Sequence, residues 1–449
     1  MKPPVDPALL QGSILRPLVR LALPFMLGNF VGLANLAIDR VWVGRVGTEA
    51  LAALGIAQAT LGVMFTIHMG MAVGTLAGVA RSTGAGRGDD AGRYLVQGLL
   101  ISLGLGAVMA AAGLALPAAV LAFMGAEPSV AGPAEGYLGI SMLGLLAQGP
   151  GMALMFALQG AGEAKAALRI SVVAPLVNAV LDPLFIFVLD GGLPGAAWAT
   201  NLANATSLAL GLWTVRRGQL RLRWPAEPFR FRADYARRIF GVGLPGSLEQ
   251  TVRTVASFSL VKILNGFGAT VVSAYTGTTM VVMVLIFPGL AVGQATASLV
   301  GQNLGAGQRS RAVRTAWLAT AAYAGFMALV GLIIYATAPH LVAVFDPNPA
   351  VVAEGAAQLR VLVWCMPTLG VALILGKAFG GAGNTVPAMI SATVAHVVFQ
   401  IPAAWWLSER YGAQGAYWAM AGAFGIHGLL SAALFVGRVQ RARAGAEKP

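Results

Sequence analysis

Three carboxylates sit inside long apolar runs: Asp39, Asp182 and Glu249. An acid at the centre of a bilayer costs about 2.5–3.5 kcal/mol on insertion scales, so it marks either an ion or substrate path, or a structural hydrogen bond or a snorkelling end residue. Asp39 and Asp182 are each preceded, four residues earlier, by an asparagine: Asn35 and Asn178. That spacing puts acid and amide on one helix face. Glu249 has Arg253 one turn further on, the spacing of a helical ion pair. Pro183 directly follows Asp182, and Pro175 lies earlier in the same run. Each proline removes a backbone donor and frees a carbonyl one turn before it. Broken helices of this kind line ion sites in transporters. Thr200, in the next apolar run, adds a hydroxyl. Two carboxylates, an amide oxygen, a hydroxyl and loose carbonyls make a hard-oxygen set. It could hold a sodium ion, or a proton between two carboxyls that resist double ionisation in a dry site.

Other residues carry weaker signals. Pro24 stands in the middle of the first apolar run and kinks it, either as a fixed bend or as one that answers to the charge at Asp39. Met26, Met152 and Met155 are either simple packing or an adaptable apolar wall for substrate. The single cysteine excludes an intramolecular disulfide, and the four histidines lack metal-ligand spacing. No GK[ST] follows the glycine-rich turns, so phosphate-loop chemistry is excluded. No nucleophile and base pair stands out, and an enzyme is not expected. No cofactor is expected beyond the coupling ion.

The elements that must position these residues are membrane helices. The chain is 57% hydrophobic and 10% charged, far less charged than a soluble protein of 449 residues. Twelve apolar runs stand out: 17–39, 51–79, 94–116, 136–158, 166–188, 194–214, 239–262, 272–299, 315–336, 357–377, 386–406 and 415–436. No alternating ten-residue pattern marks a barrel, so the spans are helices. With flanking turns counted, 24 Lys and Arg fall on the side of the two termini and 4 on the other. This asymmetry predicts cytoplasmic termini in an inner (plasma) membrane. It also explains the +13 charge without nucleic acid. Lys377 is counted here with the loop after the tenth span. The N-terminal stretch has no early apolar core with a cleavage site, so the first span is expected to remain.

The chain also repeats itself. Leu23-Pro24 matches Leu244-Pro245, Gly47 matches Gly268, and Gly84-Ala85-Gly86 matches Gly305-Ala306-Gly307. Arg93 matches Arg314, and Gly160-Ala161-Gly162 matches Gly381-Ala382-Gly383. Every offset is 221, slipping to 220 where GAAWA (195–199) matches GAYWA (415–419). Six spans per half give parallel repeats. The expected fold is therefore all-α and integral to the membrane. Its two six-helix lobes are related by a pseudo-two-fold axis along the membrane normal. The expected division is 1–214, a basic cytoplasmic linker at 215–238, and 239–449. The linker is either a contact for anionic headgroups or a solvated tether. The repeat does not copy the acids: Asp39 corresponds to Leu260, Asp182 to Ala403 and Glu249 to Gly28. The six-helix unit does not need them.

LALPFMLGNFVGLANLAIDRVWVGRVGTEALAALG (21–55), VNAVLDPLFIF (177–187) and GAAWAT (195–200) resemble the first, fifth and sixth spans of the multidrug and toxic compound extrusion (MATE) family. The resemblance is to its prokaryotic NorM/DinF-like branch and covers about residues 15–437. It implies a cation site at Asp39, Asn178, Asp182 and Thr200. Glu249, in GLPGSLEQ, resembles the family's seventh-span acid. The tenth-span acid that completes a C-lobe cation site in some members is missing from VLVWCMPTLGVALILGK (361–377). The implied activity is antiport: amphipathic, cationic organic compounds leave in exchange for protons or sodium ions, by alternating access of two lobes. Small amphipathic molecules and membrane lipid are the expected partners, and a monomer the expected state. The rival reading is a flippase for a lipid-linked saccharide, which would need a basic cavity.

Overall fold

The structure, a computed structural model, describes residues 5–115, 128–226 and 230–444. Lys2, Lys448 and linker residues 227–229, counted above among the basic flanks and linker, lie outside the described residues. Among the described residues the chain forms twelve long helical rods after a one-turn helix at Pro7–Leu10. In the N-terminal half these are α1 (Leu15–Gly44), α2 (Thr48–Gly84), α3 (Gly88–Ala115), α4 (Pro128–Gly160), α5 (Ala164–Pro183) and α6 (Gly192–Arg216). In the C-terminal half they are α7 (Ala233–Asn265), α8 (Ala269–Gly305), α9 (Arg309–Ala343), α10 (Pro349–Gly381), α11 (Val386–Tyr411) and α12 (Ala413–Ala444). Among the described residues each expected span lies within one rod, the fifth continuing from α5 into the π turn at Leu184–Val188, and most rods overrun their span.

Ten rods are long and apolar enough to cross a membrane on length and composition alone. The other two are α6 and α7, and their sequences explain why. α6 carries Thr200, Asn201, Asn204, Thr206 and Ser207, while α7 carries Asp234, Arg237, Arg238, Glu249, Arg253 and Lys262. Polar residues for local chemistry lower the mean hydropathy of a helix whose length still spans.

The repeat is visible in the backbone. Gly86 and Gly307 have φ of +74° and +76°; Gly162 and Gly383 have +76° and +78°. Gly47 and Gly268 also have positive φ, and Gly192 and Gly412, at offset 220, have +51° and +62°. Behind Gly86 and Gly307 the chain closes the same way. Arg87 N donates to Ser82 O at 2.9 Å, and Gln308 N donates to Asn303 O at 2.8 Å. This is the helix-terminating turn that requires a left-handed residue. The sequence repeat is thus a repeat of turns.

Close packing within each half uses small residues. A Cβ on Gly160 would strike the Leu76 carbonyl of α2, and one on Gly106 would strike the Leu145 carbonyl of α4. In the other half, Gly381 lies against Ala297 and Gly428 against Thr368. Membrane helices lack a hydrophobic drive toward one another, so backbone approach through small residues supplies the contact.

The chain forms two compact units. One holds Arg20–Ser247 with Met1–Gly12 and Gly301–Gln308; the other holds Leu248–Val300 and Arg309–Pro449 with Ser13–Val19. The segment after α6 is no solvated tether. Leu222 is fully buried, and Arg221 reaches Asp6 at 3.1 Å while its N–H donates to Glu163 at 2.8 Å. Gln97 of α3 clamps the segment with both ends of its amide: its Nε2 donates to Arg230 O at 2.7 Å, and its Oε1 accepts from Arg232 N at 2.9 Å. Tyr235 then donates to Asp90 at 2.7 Å.

Gly86 isolates the cost of the turn, because an added Cβ there would meet nothing within 4 Å. Gly86→Ala is expected to destabilise the protein by about 1–2 kcal/mol, the cost of a left-handed L-residue. Gly88→Ala, two residues on in equally open space, is expected to be neutral. Thermal unfolding in detergent checks both.

Candidate ion site in the N-terminal half

α5 is interrupted beside its acid. Pro183 leaves the Ala179 carbonyl without its helical donor. The chain widens at once into a π turn over Leu184–Val188, where Leu189 N donates to Leu184 O at 2.9 Å. π turns are common at functional sites. α6 meets this region through Asn201, whose Nδ2 donates to Ile140 O of α4 at 2.6 Å. That bond fixes α6 on α4 and presents the neighbouring Thr200.

The expected set comes together within one compact unit. Asn178 Nδ2 donates to Asp182 Oδ1 at 2.9 Å and lies 3.3 Å from Thr200 Oγ1. On α1, Asn35 Nδ2 donates to Asp39 Oδ2 at 3.5 Å. Both i,i+4 pairs therefore form, the α5 pair tightly and the α1 pair loosely. Asn178 and Asp182 are each 1% exposed; Asp39 is half-buried. The carboxyls of Asp39 and Asp182 are near enough to interact electrostatically with each other.

Two ionised carboxylates side by side repel, and a proton or a cation between them would relieve that repulsion. The remaining oxygens agree. Asp39 Oδ1, Asp182 Oδ2, Asn178 Oδ1 and Asn35 Oδ1 are buried without a donor. A cluster of buried acceptor oxygens without donors is what a cation or a proton would satisfy. The donor set is hard oxygen throughout, which fits sodium as well as a proton.

Tyr137 of α4 is a neighbour of the site that the sequence did not signal. It is 7% exposed and interacts electrostatically with both Asp39 and Asp182. A lone tyrosine in an apolar run has no spacing to mark it. The other expected residues do not join this cluster. Pro24 lies within α1, which continues helically through it. Met26, Met152 and Met155 are half-buried. Glu249 and Arg253 lie in the other compact unit, where Arg253 Nη2 stands 3.5 Å from Glu249 Oε1. The expected i,i+4 ion pair is therefore formed.

Two duplicated six-helix bundles, with an acid pair beside a broken helix in one of them, define a multi-pass membrane transporter. The family model MatE matches residues 24–184 and again residues 245–406, one match in each half. The chain belongs to this family, the MATE transporters. It is 27% identical over 407 residues to the probable multidrug resistance protein YpnP of Bacillus subtilis, covering 90% of this chain and 91% of that one. It is 28% identical to the multidrug resistance protein NorM of Burkholderia vietnamiensis, covering 90% and 89%. It is also 25% identical to a FAD transporter of Shewanella oneidensis, covering 88% of each. A solved MATE family transporter in an outward-facing conformation superposes with a TM-score of 0.90 over 97% of this chain and 98% of that one, at 24% identity. The twelve-helix, two-lobe fold is shared with that structure.

Asn178→Leu removes the donor to Asp182 and leaves a buried acceptor unpaired. It is expected to cost about 1–3 kcal/mol of stability. In an Asp182→Asn background, the same change is expected to cost markedly less, because the charged acceptor is gone. Thermal unfolding of the four proteins of this cycle tests the pairing; equal costs in the two backgrounds would mean that the residues act independently.

Proposed function

We propose that the chain is a secondary antiporter of an inner (plasma) membrane, with both termini cytoplasmic, that expels amphipathic organic compounds. The excess of Lys and Arg on the terminal side supports this orientation. Cationic compounds are the expected class, because the N-terminal half offers them a pair of carboxylates. The observation that carries the reading is the set of buried oxygens without donors that Asp39 and Asp182 share with Asn35 and Asn178. A site that needs a proton or a cation to be stable is a site that can be charged and discharged by one.

The sequence of events follows from charge. A proton or sodium ion enters from outside and settles between Asp39 and Asp182. The pair loses negative charge and no longer holds a cationic substrate, which leaves outward. α1 carries Asp39 and also Pro24, whose missing N–H leaves the Arg20 carbonyl unpaired within the helix. The bend at Pro24 is thereby free to change when the Asp39 site changes charge. The two halves then exchange access, and the ion is released inward. Each unit charge crossing 100 mV supplies about 2.3 kcal/mol. That sustains a substrate gradient of roughly fiftyfold. The protein works without a cofactor and as a monomer, and it catalyses no covalent step.

Efflux of a fluorescent cation from proteoliposomes, with pH and sodium gradients imposed separately, tests this. One gradient is expected to drive wild-type efflux. Asp182→Asn and Asp39→Asn are expected to abolish that drive while leaving the protein folded. Pro24→Ala is expected to slow turnover with the ion preference unchanged. Gradient-driven efflux by Asp182→Asn at the wild-type rate would remove the pair from coupling.

A further inference from the structure

The C-terminal half has a polar cluster of its own, and its charge runs the other way. Lys377, the last residue of the expected tenth span, lies well inside α10, which continues to Gly381. Its stem packs over Gly293 of α8, where a Cβ would come within 2.7 Å of the lysine Cγ. The carboxylate of Glu249 on α7 lies beside Gly376, the residue before it, with Oε1 3.8 Å from where a Cβ would stand. Arg253, one turn along α7, reaches Glu249 at 3.5 Å and also donates to Gln250. Lys377 interacts electrostatically with both Glu249 and Arg253.

Two histidines, scattered in sequence, complete the cluster. His396 Nε2 and His427 Nδ1 are 3.2 Å apart, joining the π segment of α11 to α12. His396 Nδ1 is bonded to Gln400 Oε1 at 2.7 Å. All three side chains belong to buried residues, and Arg253 interacts electrostatically with both histidines. Among the described residues, no group of acids, cysteines and histidines could hold a metal ion.

The charge does not balance. One carboxylate, Glu249, is paired with Arg253 and lies in the field of a second cation, Lys377. An excess cation inside a membrane domain is expensive unless it serves a path or a ligand. The repeat shows that the scaffold does not ask for it. The counterparts of Arg253, Lys377, His396 and His427 are Gly32, Phe156, Pro175 and Ser207. Nor is the cluster sealed. The Arg253 side chain is 29% exposed, and a Cβ on Gly376 would meet nothing nearer than 3.8 Å. Arginine's fork and lysine's ammonium together suit an oxyanion.

We propose that Arg253 and Lys377, with the His396–His427 pair behind them and Glu249 as internal counterion, form a binding site for an anionic group on the transported molecule, a carboxylate or a phosphate. The proposal rests on the reading of the chain as an exporter of amphipathic compounds and narrows it. Substrates that carry an oxyanion beside their apolar body, zwitterions included, are recognised in the C-terminal half. The flippase reading asked for a basic cavity; here the basic groups serve a substrate's anionic group.

Two matched probe pairs test this in detergent, with no gradient. One pair is a rhodamine with a free carboxylate and its methyl ester. The other is riboflavin phosphate and riboflavin. Within each pair only the anionic group differs, so the two pairs separate carboxylate from phosphate. In at least one pair, the anionic member is expected to bind about tenfold tighter or more to the wild type, the worth of a charge-assisted hydrogen bond. Lys377→Met and Arg253→Gln should reduce that preference to near unity, while Lys377→Arg should retain it. Asp182→Asn should also retain it, even where it loses gradient-driven efflux. Thermal unfolding of each variant confirms the fold, and the Lys377→Arg protein carries the test if the Met variant fails to fold. Equal binding within both pairs would overturn the proposal. So would a preference untouched by Lys377→Met and Arg253→Gln, whether or not the antiport reading stands.

Discussion

Two carboxylates cannot satisfy one another. Asp39 and Asp182 lie within reach of each other's charge, and neither has a proton to give while both are ionised. The arrangement around them depends on this one constraint. Asn178 donates to Asp182 and Asn35 to Asp39, so each acid has one neutral donor on its own helix. The remaining carboxylate and amide oxygens have none. The break in α5 at Pro183 and the fixing of α6 by Asn201 are the backbone devices that keep this set in place. A site left one cation short is stable only when occupied, and that property makes it usable for coupling.

The scaffold around the site is generic and the site is not. The two halves share their helix ends down to the left-handed glycines, at a constant offset. They share close helix contacts through small residues as well. The polar interiors have no such correspondence: acids in one half, an excess of bases in the other. Duplication supplied a bundle that folds twice, and the packed small-residue contacts hold it whatever occupies the polar positions. Each half was then free to acquire its own charge.

Much of this was legible in the sequence, for identifiable reasons. Asp39, Asn178, Asp182 and Thr200 were readable because a polar residue in an apolar run is a strong contrast, and because i,i+4 spacing fixes a face. The rods were readable from hydropathy, including α6 and α7, whose polar residues lower their means. Tyr137 was not readable, since a single tyrosine joins the site only through the packing of α4. His396 and His427 were not readable either: 31 residues apart, they meet only because α11 lies against α12. Lys377 was readable as the last residue of the tenth span, but not the further turn of helix, Ala378–Gly381, that puts it inside the rod. The basic linker looked like a possible tether because composition reports charge and not the buried partners, Gln97, Asp6 and Glu163, that hold it.

The most direct test of the account is the protonation of the pair itself. Infrared spectroscopy of the purified protein in sodium-free buffer at neutral pH reads the carbonyl stretch of a protonated carboxyl. The account predicts a band that both Asp39→Asn and Asp182→Asn remove. Added sodium should either leave it in place, naming the proton as the coupling ion, or convert it to the ionised form, naming sodium. If both carboxylates proved ionised in the absence of any bound cation, the pair would not need a proton or an ion to stand together, and the central claim would fail.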